Sequence, residues 1–573
     1  MNGRIFTGKV TKDQIFSLVP ILTWLPAYEK SWLKFDIIAG LTLAGVAIPD
    51  NIAFATLAGL PPEYGLYAGI MAPLAYFLFS TSRHVSIGPS SSEAIMVATF
   101  LAAMIISSPA EYAGLVALTA ILVGVISVFA WLLRLGFLVN LISGPVMKGF
   151  LVGTGIVIII GQIPKILGLS GVPSSFFERI LFIVQNFPAT NLYALSLGAG
   201  AILLFVALEH RHPRLPGHLI VMILSIFLVG LARLDHHGVE IVGSIKGGLP
   251  ELGIPLFSSG DIQLVFPLAI GLFILSFVEL SSVARTYAKA HEYQVDNNQE
   301  LLALGATSIA SGVGQGFPIG PSFSKTAIND RNGAKTQLSC AIAASVTILV
   351  VLFLTGFFYY LAEPVIAALI LVAVFNMVDI AGLARIGHIN RTEIYIALIT
   401  LGAVLIFGIL AGVLIGAGLS LIEILYRFTF PHMVVVGRIP GTDVYGNVGR
   451  KPEKEVIPGV FIYRIDAPLI FANAENFKER FLSSLSREER PVHLAIIDLG
   501  SSPITDVTAV DMISDLVTEL DKRRITLRLA NASGPVRDVL QAAGIEEKVG
   551  TLDRTTTIPA LVQEWSAGRQ DQQ

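Results

Sequence analysis

Ile87-Gly88-Pro89-Ser90-Ser91-Ser92 returns in the second half of the chain as Ile319-Gly320-Pro321-Ser322-Phe323-Ser324, with one mismatch in six positions. Each copy follows a short extended segment and opens a helix in strongly apolar surroundings. A helix that starts at membrane depth aims unpaired backbone N–H groups and a partial positive charge into the protein interior. Two such ends, one from each half of a chain, are a recipe for an anion site near the bilayer midplane. The competing reading is a coincidence between Gly-Pro-Ser turns. The equivalent placement of the two copies argues against it.

Composition supports a membrane location. The chain has 573 residues, 53% hydrophobic and only 14% charged, with a mean hydropathy of +0.71. That is too apolar and too poor in charge for an ordinary soluble protein. Apolar runs fill residues 36–430, whereas the remainder is charge-rich. A single cysteine, Cys340, excludes an intramolecular disulfide. Residues 1–35 lack an apolar stretch followed by a small-residue cleavage site and read as a cytoplasmic N-terminal segment.

A bilayer requires about 20 apolar residues per helical span. Hydropathy places spans near 36–57, 65–80, 90–107, 112–134, 145–163, 192–209 and 217–234, which make a first repeat of about 36–234. A second repeat of about 262–428 holds spans near 262–286, 300–316, 322–331, 337–357, 364–376, 391–409 and 411–428. The third and tenth begin at the twin motif and are short, so they are expected to be half-helices. Non-helical chain at that depth is tolerable only where protein encloses it or it lines a cavity.

Charge gives the orientation independently. Loops after even-numbered spans hold Arg134, Arg211, Arg214, Arg285, Lys289, Arg331, Lys335, Arg385 and Arg391. The opposite loops carry Glu63, Glu111, Glu363 and the mixed stretch Asp235 to Asp261, with Lys165, Arg179 and Lys246 as exceptions. Cytoplasmic loops carry the Lys and Arg excess, so both termini are expected in the cytoplasm of an integral inner or plasma membrane protein. Seven spans per half, an odd number, inverts the second repeat. An acid precedes each twin motif at a similar distance: Asp50 lies 39 residues before Pro89, and Glu279 lies 42 before Pro321.

Several segments resemble the signature of the SulP family of anion permeases. They are Ala39-Gly40-Leu41-Thr42 through Pro49, Ala58-Gly59-Leu60-Pro61-Pro62-Glu63-Tyr64-Gly65-Leu66-Tyr67 and Arg83-His84-Val85-Ser86-Ile87-Gly88-Pro89. Asn298-Gln299-Glu300-Leu301, Gly316-Phe317-Pro318 and Ser324-Lys325-Thr326 continue the likeness. The resemblance covers almost the whole chain. It implies an α-helical membrane protein of 14 spans in a 7+7 inverted repeat, with a core domain moving against a gate domain, and a cytoplasmic α/β STAS domain. Relatives are commonly dimers, so a homodimer is expected.

The C-terminal part reads as α/β on its own residues. Val460 to Ile465 alternates as a strand, and Leu494 to Leu499 and Ile525 to Ala530 are further strands. Asn473 to Ser484, Ala509 to Lys522 and Pro535 to Gly544 have helical spacing. The expected division is a linker at 431–455, the STAS domain at 456–566 and a tail at 567–573. In anti-sigma antagonists of similar sequence a phosphorylated Ser follows the Asp of the Asp506-Val507-Thr508-Ala509 loop. Val507 at that place excludes this phosphoswitch, and Thr508 reads as a helix N-cap. A regulatory protein or ligand at the STAS domain stays open.

The transport chemistry is expected at the twin motif. Ser90, Ser91, Ser92, Ser322 and Ser324 offer neutral hydroxyl and backbone donors, which hold an oxyanion and still release it. Lys325 sits where similar proteins carry a basic residue beside the substrate. A lone buried ammonium costs about 2.5–3.5 kcal/mol on insertion scales, so it needs a partner or the transported anion. By resemblance, Phe54 and Phe323 line the pocket with apolar walls; ordinary helix packing is the alternative. Glu279 stands where similar proteins place the acid that couples transport to a cation. Sodium-coupled relatives look to have Asp there with a Thr four residues on, whereas this chain has Glu279 and Val283. Burial favours the protonated form of a carboxyl, so proton symport through Glu279 is expected and sodium is disfavoured.

Two further acids depart from the family pattern. Asp50 replaces the usual Gln, and Glu93 stands in the first turn of the first half-helix. Glu93 and Lys325 directly follow the matched motifs and are expected to face each other as an ion pair. His210, His212, His236 and His237 read as solvated loop histidines rather than metal ligands. Asn297, Asn298 and Gln299 read as turn and cap residues. The expected function is secondary active transport of a small anion of the sulfate, bicarbonate or dicarboxylate class, with no cofactor beyond the coupled proton and no nucleic-acid partner. An uncoupled exchanger or channel, a sodium-coupled bicarbonate symporter, a nucleobase permease and a regulatory membrane anchor are the alternatives. No catalytic constellation points to an enzyme.

Overall fold

A computed structural model describes residues 18–570 except 103, 105, 107, 142, 174, 212–215, 376–377 and 451–454. The expectations for His212, Arg214, the first 17 residues and the end of the tail fall outside the described residues. The chain divides into two compact units, Met1–Ser420 and Leu421–Gln573.

Fourteen helices match the fourteen expected segments. In the first repeat they are α1 (Leu33–Leu57), α2 (Pro62–Phe79), α3 (Ser91–Leu101), α4 (Pro109–Leu132), α5 (Gly144–Leu167), α6 (Leu192–Arg211) and α7 (Gly217–Ala232). The second repeat has α8 (Ser259–Ala290), α9 (Asn297–Val313), α10 (Phe323–Arg331), α11 (Leu338–Phe353), α12 (Glu363–Phe375), α13 (Arg391–Phe407) and α14 (Ile409–Thr429). Shorter helices at Phe176–Asn186 and Ile380–Ile389 join neighbours within each half. Helices α3 and α10 are half-length, at 11 and 9 residues.

The membrane helices segregate into two bundles. Helices α1, α2 and α4 pack with α8, α9 and α11, while α5, α6 and α7 pack with α12 and α13. Hydrophobic burial cannot drive helix association in lipid, so close backbone approach does. At the α4–α9 crossing a Cβ on Gly124 would stand 2.7 Å from the Gly305 carbonyl oxygen, and one on Gly305 would stand 3.0 Å from that of Gly124. Contacts of α1 with α7 and α12 join the two bundles.

In the second unit, strands β3 (Met433–Arg438), β4 (Tyr445–Asn447), β5 (Val460–Ile465), β6 (Leu494–Asp498) and β7 (Thr526–Ala530) form one sheet in the order β4-β3-β5-β6-β7. The β5–β6 and β6–β7 pairs are parallel, with Val460 opposite Leu494 and Leu494 opposite Thr526. β3 runs antiparallel to β4 and β5, so the sheet is mixed. Side chains alternate as a strand requires. Phe461, Tyr463 and Ile465 face α15 (Ala474–Leu485) and α16 (Val507–Lys522), whereas Val460 and Ile462 face the helix Ile558–Gln570.

Two expectations are corrected here. The stretch 431–455 is not a linker throughout, because β3 and β4 lie inside it and hydrogen-bond into the sheet. Val434, Val435 and Val436 satisfy their backbone groups by pairing rather than by hydration. Thr508 is not the N-cap of α16. Asp506 takes that place, its carboxylate accepting from Ala509 N at 3.0 Å and Phe471 N at 2.8 Å, and Thr508 is exposed on the first turn.

Candidate anion-binding site

The twin motifs meet. β1 (Ile87–Gly88) pairs antiparallel with β2 (Gly320–Pro321), setting Gly88 opposite Gly320 and Ile87 opposite Pro321. Ser322 N donates to the Ser86 carbonyl at 3.0 Å, and Ser86 N donates to Thr326 Oγ1 at 3.0 Å. Pro89 lies just past β1 and cannot donate to a ladder, and the chain turns from the seam into α3 at Ser91 and α10 at Phe323. Two half-helices from opposite repeats therefore begin side by side around a two-residue seam.

The two beginnings are built alike and filled differently. Ser90 caps α3 in extended conformation, and Ser90, Ser91, Ser92 and Glu93 are all buried. The Glu93 carboxylate accepts from the hydroxyls of Ser90 (a very short contact), Ser92 at 3.2 Å and, from α8, Ser276 at 2.9 Å. It lies against Gly320, where a Cβ would come within 2.0 Å of Oε1. On α10, Ser322 caps Lys325 N at 3.3 Å and its hydroxyl stands 3.2 Å from that of Ser324. Phe323 is 45% exposed and Ser324 is exposed too, so this helix beginning is open.

Lys325 is fully buried, its Nζ donating to the Pro89 carbonyl at 2.8 Å and lying 5.8 Å from the centre of the Phe54 ring. The expected ion pair with Glu93 does not form. Each side chain crosses the other repeat's strand: Lys325 Nζ is 4.0 Å from where a Gly88 Cβ would be, while Glu93 lies over Gly320. Three hydroxyls satisfy the carboxylate and a carbonyl satisfies the ammonium, so they interact through space without contact. Behind Lys325 a cavity of about 20 Å³, lined also by Asn51, Ser86 and Thr347, has room for one water and none for an oxyanion.

The acids gather around this seam. Glu279 on α8 is buried, with Ser92 as a hydrogen-bond partner and Glu93 within electrostatic reach. Asp50 on α1 is buried within reach of Lys325, and its Oδ1 lies 4.0 Å from Nε2 of His218 on α7. His218 belongs to the second bundle and went unread in the sequence; lying one residue past an undistinguished Pro-Gly turn, it gave no signal. Phe54 is buried beneath the ammonium, whereas Phe323 stands apart at the open end. His210 is exposed at the end of α6, and His236 and His237 sit in a single exposed turn at Leu234–His237. Asp296, rather than an Asn, caps α9 through Asn298 N and Gln299 N. Asn298 and Gln299 then donate to the Trp131 and Phe79 carbonyls.

Comparison with known proteins decides the assignment. The model of the sulfate permease family matches residues 33–400, and that of the STAS domain matches residues 451–558. The chain belongs to the sulfate permease family. A probable sulfate transporter of Mycobacterium tuberculosis is 36% identical over 556 residues, covering 95% of this chain and 99% of the relative. Sulfate transporter 1.3 of Arabidopsis thaliana is 31% identical over 563 residues, covering 94% and 85%. Among solved structures, SLC26A9 matches with a TM-score of 0.88 at 23% identity, covering 98% of this chain and 94% of that one. The transmembrane domain of a cyanobacterium bicarbonate transporter, BicA, matches at 0.60 and 20% identity over 69% and 98%. At those identities the likeness establishes the fold. This sulfate permease family member is a multi-pass membrane transporter with a STAS domain, not an enzyme.

Proposed function

We propose that the chain moves a small oxyanion, sulfate foremost, by alternating access of one bundle against the other, with a proton carried on Glu279. The observation that carries the proposal is the open first turn of α10 beside the buried ammonium of Lys325. The anion rests against Ser322, Ser324 and the free N–H groups of that turn, in the field of Lys325, with Phe54 as an apolar wall. Names of the relatives favour sulfate over bicarbonate and dicarboxylates. Because α3 already holds its own carboxylate, the anion takes the α10 side of the seam.

Proton coupling follows from the neighbouring acids. Glu93 and Glu279 share Ser92 in a buried setting, and two close carboxylates there do not both carry charge. A proton arriving with the anion offsets its charge, and the pair can leave together on the other side. The test is uptake of radiolabelled sulfate into proteoliposomes under an imposed pH gradient, acid outside. Uptake should rise with the gradient in the wild-type protein and ignore it in Glu279→Gln. Equal acceleration of both proteins removes Glu279 as the coupling site.

A further inference from the structure

We propose that His84, His291 and Asp330 form a binding site for one divalent transition-metal ion of the zinc type, separate from the anion site. Three elements bring these residues together: the bend that leads into β1, the residue that ends α8, and the last turn of α10. His291 Nε2 lies 2.6 Å and His84 Nε2 lies 4.0 Å from the same oxygen, Asp330 Oδ1. The two imidazoles are stacked, with centres 4.2 Å apart and planes within 15°. All three ligand atoms fall within 4.8 Å of one another.

That set suits zinc. Bonds of about 2.0–2.1 Å in a tetrahedron put ligand atoms about 3.3 Å apart, so the observed spacings need side-chain shifts of less than about 1 Å. Two imidazoles and one carboxylate leave a fourth position for water, and imidazole selects zinc, nickel or cobalt over magnesium or calcium. The supporting shell is present as well. Tyr293 Oη stands 3.3 Å from His84 Nδ1, the nitrogen that would not bind metal, and so holds Nε2 toward Asp330. Metal-bound histidines are oriented in this way. Arg83 lies over the Tyr293 ring at 5.3 Å and keeps it in place.

Access and consequence also fit. The His84 side chain is 5% exposed and supplies a fixed ligand, while His291 at 41% and Asp330 at 28% leave an entry path. An ion held here would fasten the end of α10, which carries Lys325, to the end of α8, which carries Glu279. Occupancy would therefore stiffen the frame of the anion site without touching the anion.

The experiment is zinc titration of the full-length purified protein by competition with a chromophoric chelator, with cobalt absorption as a second readout of coordination. The expected result is one ion per chain, bound at least 100-fold more weakly by His291→Ala, about 10-fold more weakly by Tyr293→Phe, and unchanged by His236→Ala/His237→Ala. His291 is half exposed at a helix end, so its replacement leaves the fold intact, and size-exclusion elution checks this. Equal zinc affinity of wild type and His291→Ala, or no binding by the wild type, overturns the proposal. A cobalt spectrum unchanged by His291→Ala overturns it too.

Discussion

The first turns of α3 and α10 start from nearly the same six residues and arrive at opposite states. The α3 end is closed, because Glu93 folds back onto Ser90 and Ser92 and takes a third hydroxyl from Ser276. The α10 end is open, because its counterpart Lys325 points away across the seam to the Pro89 carbonyl. A helix N-terminus prefers a negative charge, so a Glu directly after the motif supplies that charge internally and a Lys cannot. One substitution between repeats thus turns a symmetric pair of helix ends into one closed end and one open end.

The contrast can be broken most sharply at Lys325. Lys325→Met should cut sulfate uptake about 100-fold, the size of a lost charged hydrogen bond and its field, roughly 2.7 kcal/mol. Proteoliposome uptake normalised to inserted protein measures it, and near-normal transport would show that the open end is not where the anion rests. Next in size is the pair Gly320→Ala and Gly88→Ala. The added methyl at Gly320 meets the caged Glu93 carboxylate at 2.0 Å and should destabilise by about 1–3 kcal/mol. At Gly88 its nearest neighbour is Lys325 Nζ at 4.0 Å, an ordinary contact that should cost under about 0.5 kcal/mol. Thermal unfolding in detergent should separate the two variants, and equal melting temperatures would contradict the crossing of the two side chains.

Smaller effects refine the asymmetry. Ser324→Ala removes one neutral donor at the open end and should raise KM for sulfate about 5–10-fold, near 1 kcal/mol. Glu93→Gln keeps the shape of the closed end and, with the anion proposed to rest at the open end, should change KM by less than about 3-fold. Should Glu93→Gln weaken binding as much as Ser324→Ala, the anion is shared between both ends.

Much of this architecture was legible because membranes leave the chain few choices. Every backbone group must be satisfied internally, so apolar length gave fourteen segments, and the expected 322–331 half-helix appears at Phe323–Arg331. The twin motif announced the seam for the same reason: each Gly-Pro-Ser leads from a short extended segment into a helix. What stayed hidden were directions. Sequence spacing shows that Glu93 and Lys325 are equivalent, yet it does not show that each side chain passes over the other's glycine rather than meeting its mate. Likewise, His84, His291 and Asp330 lie far apart along the chain, and no local spacing announces a cluster assembled by topology. In the second unit, β3 escaped notice because Met433 to Arg438 precedes a stretch of Gly, Asp and Lys that dominates the local composition.

The seam between the repeats is two residues deep, and its register joins Gly88 to Gly320. Successive side chains of an extended segment point to opposite sides, so a slip of one position inverts them all. The protein should therefore tolerate exchanges of residue type near the seam far better than a gain or loss of a single residue in 85–89 or 317–321. Such an indel would leave every long helix intact while rotating the serine turn out of line with its twin. Chain length at this spot, more than any one side chain, is what the transporter has to keep constant.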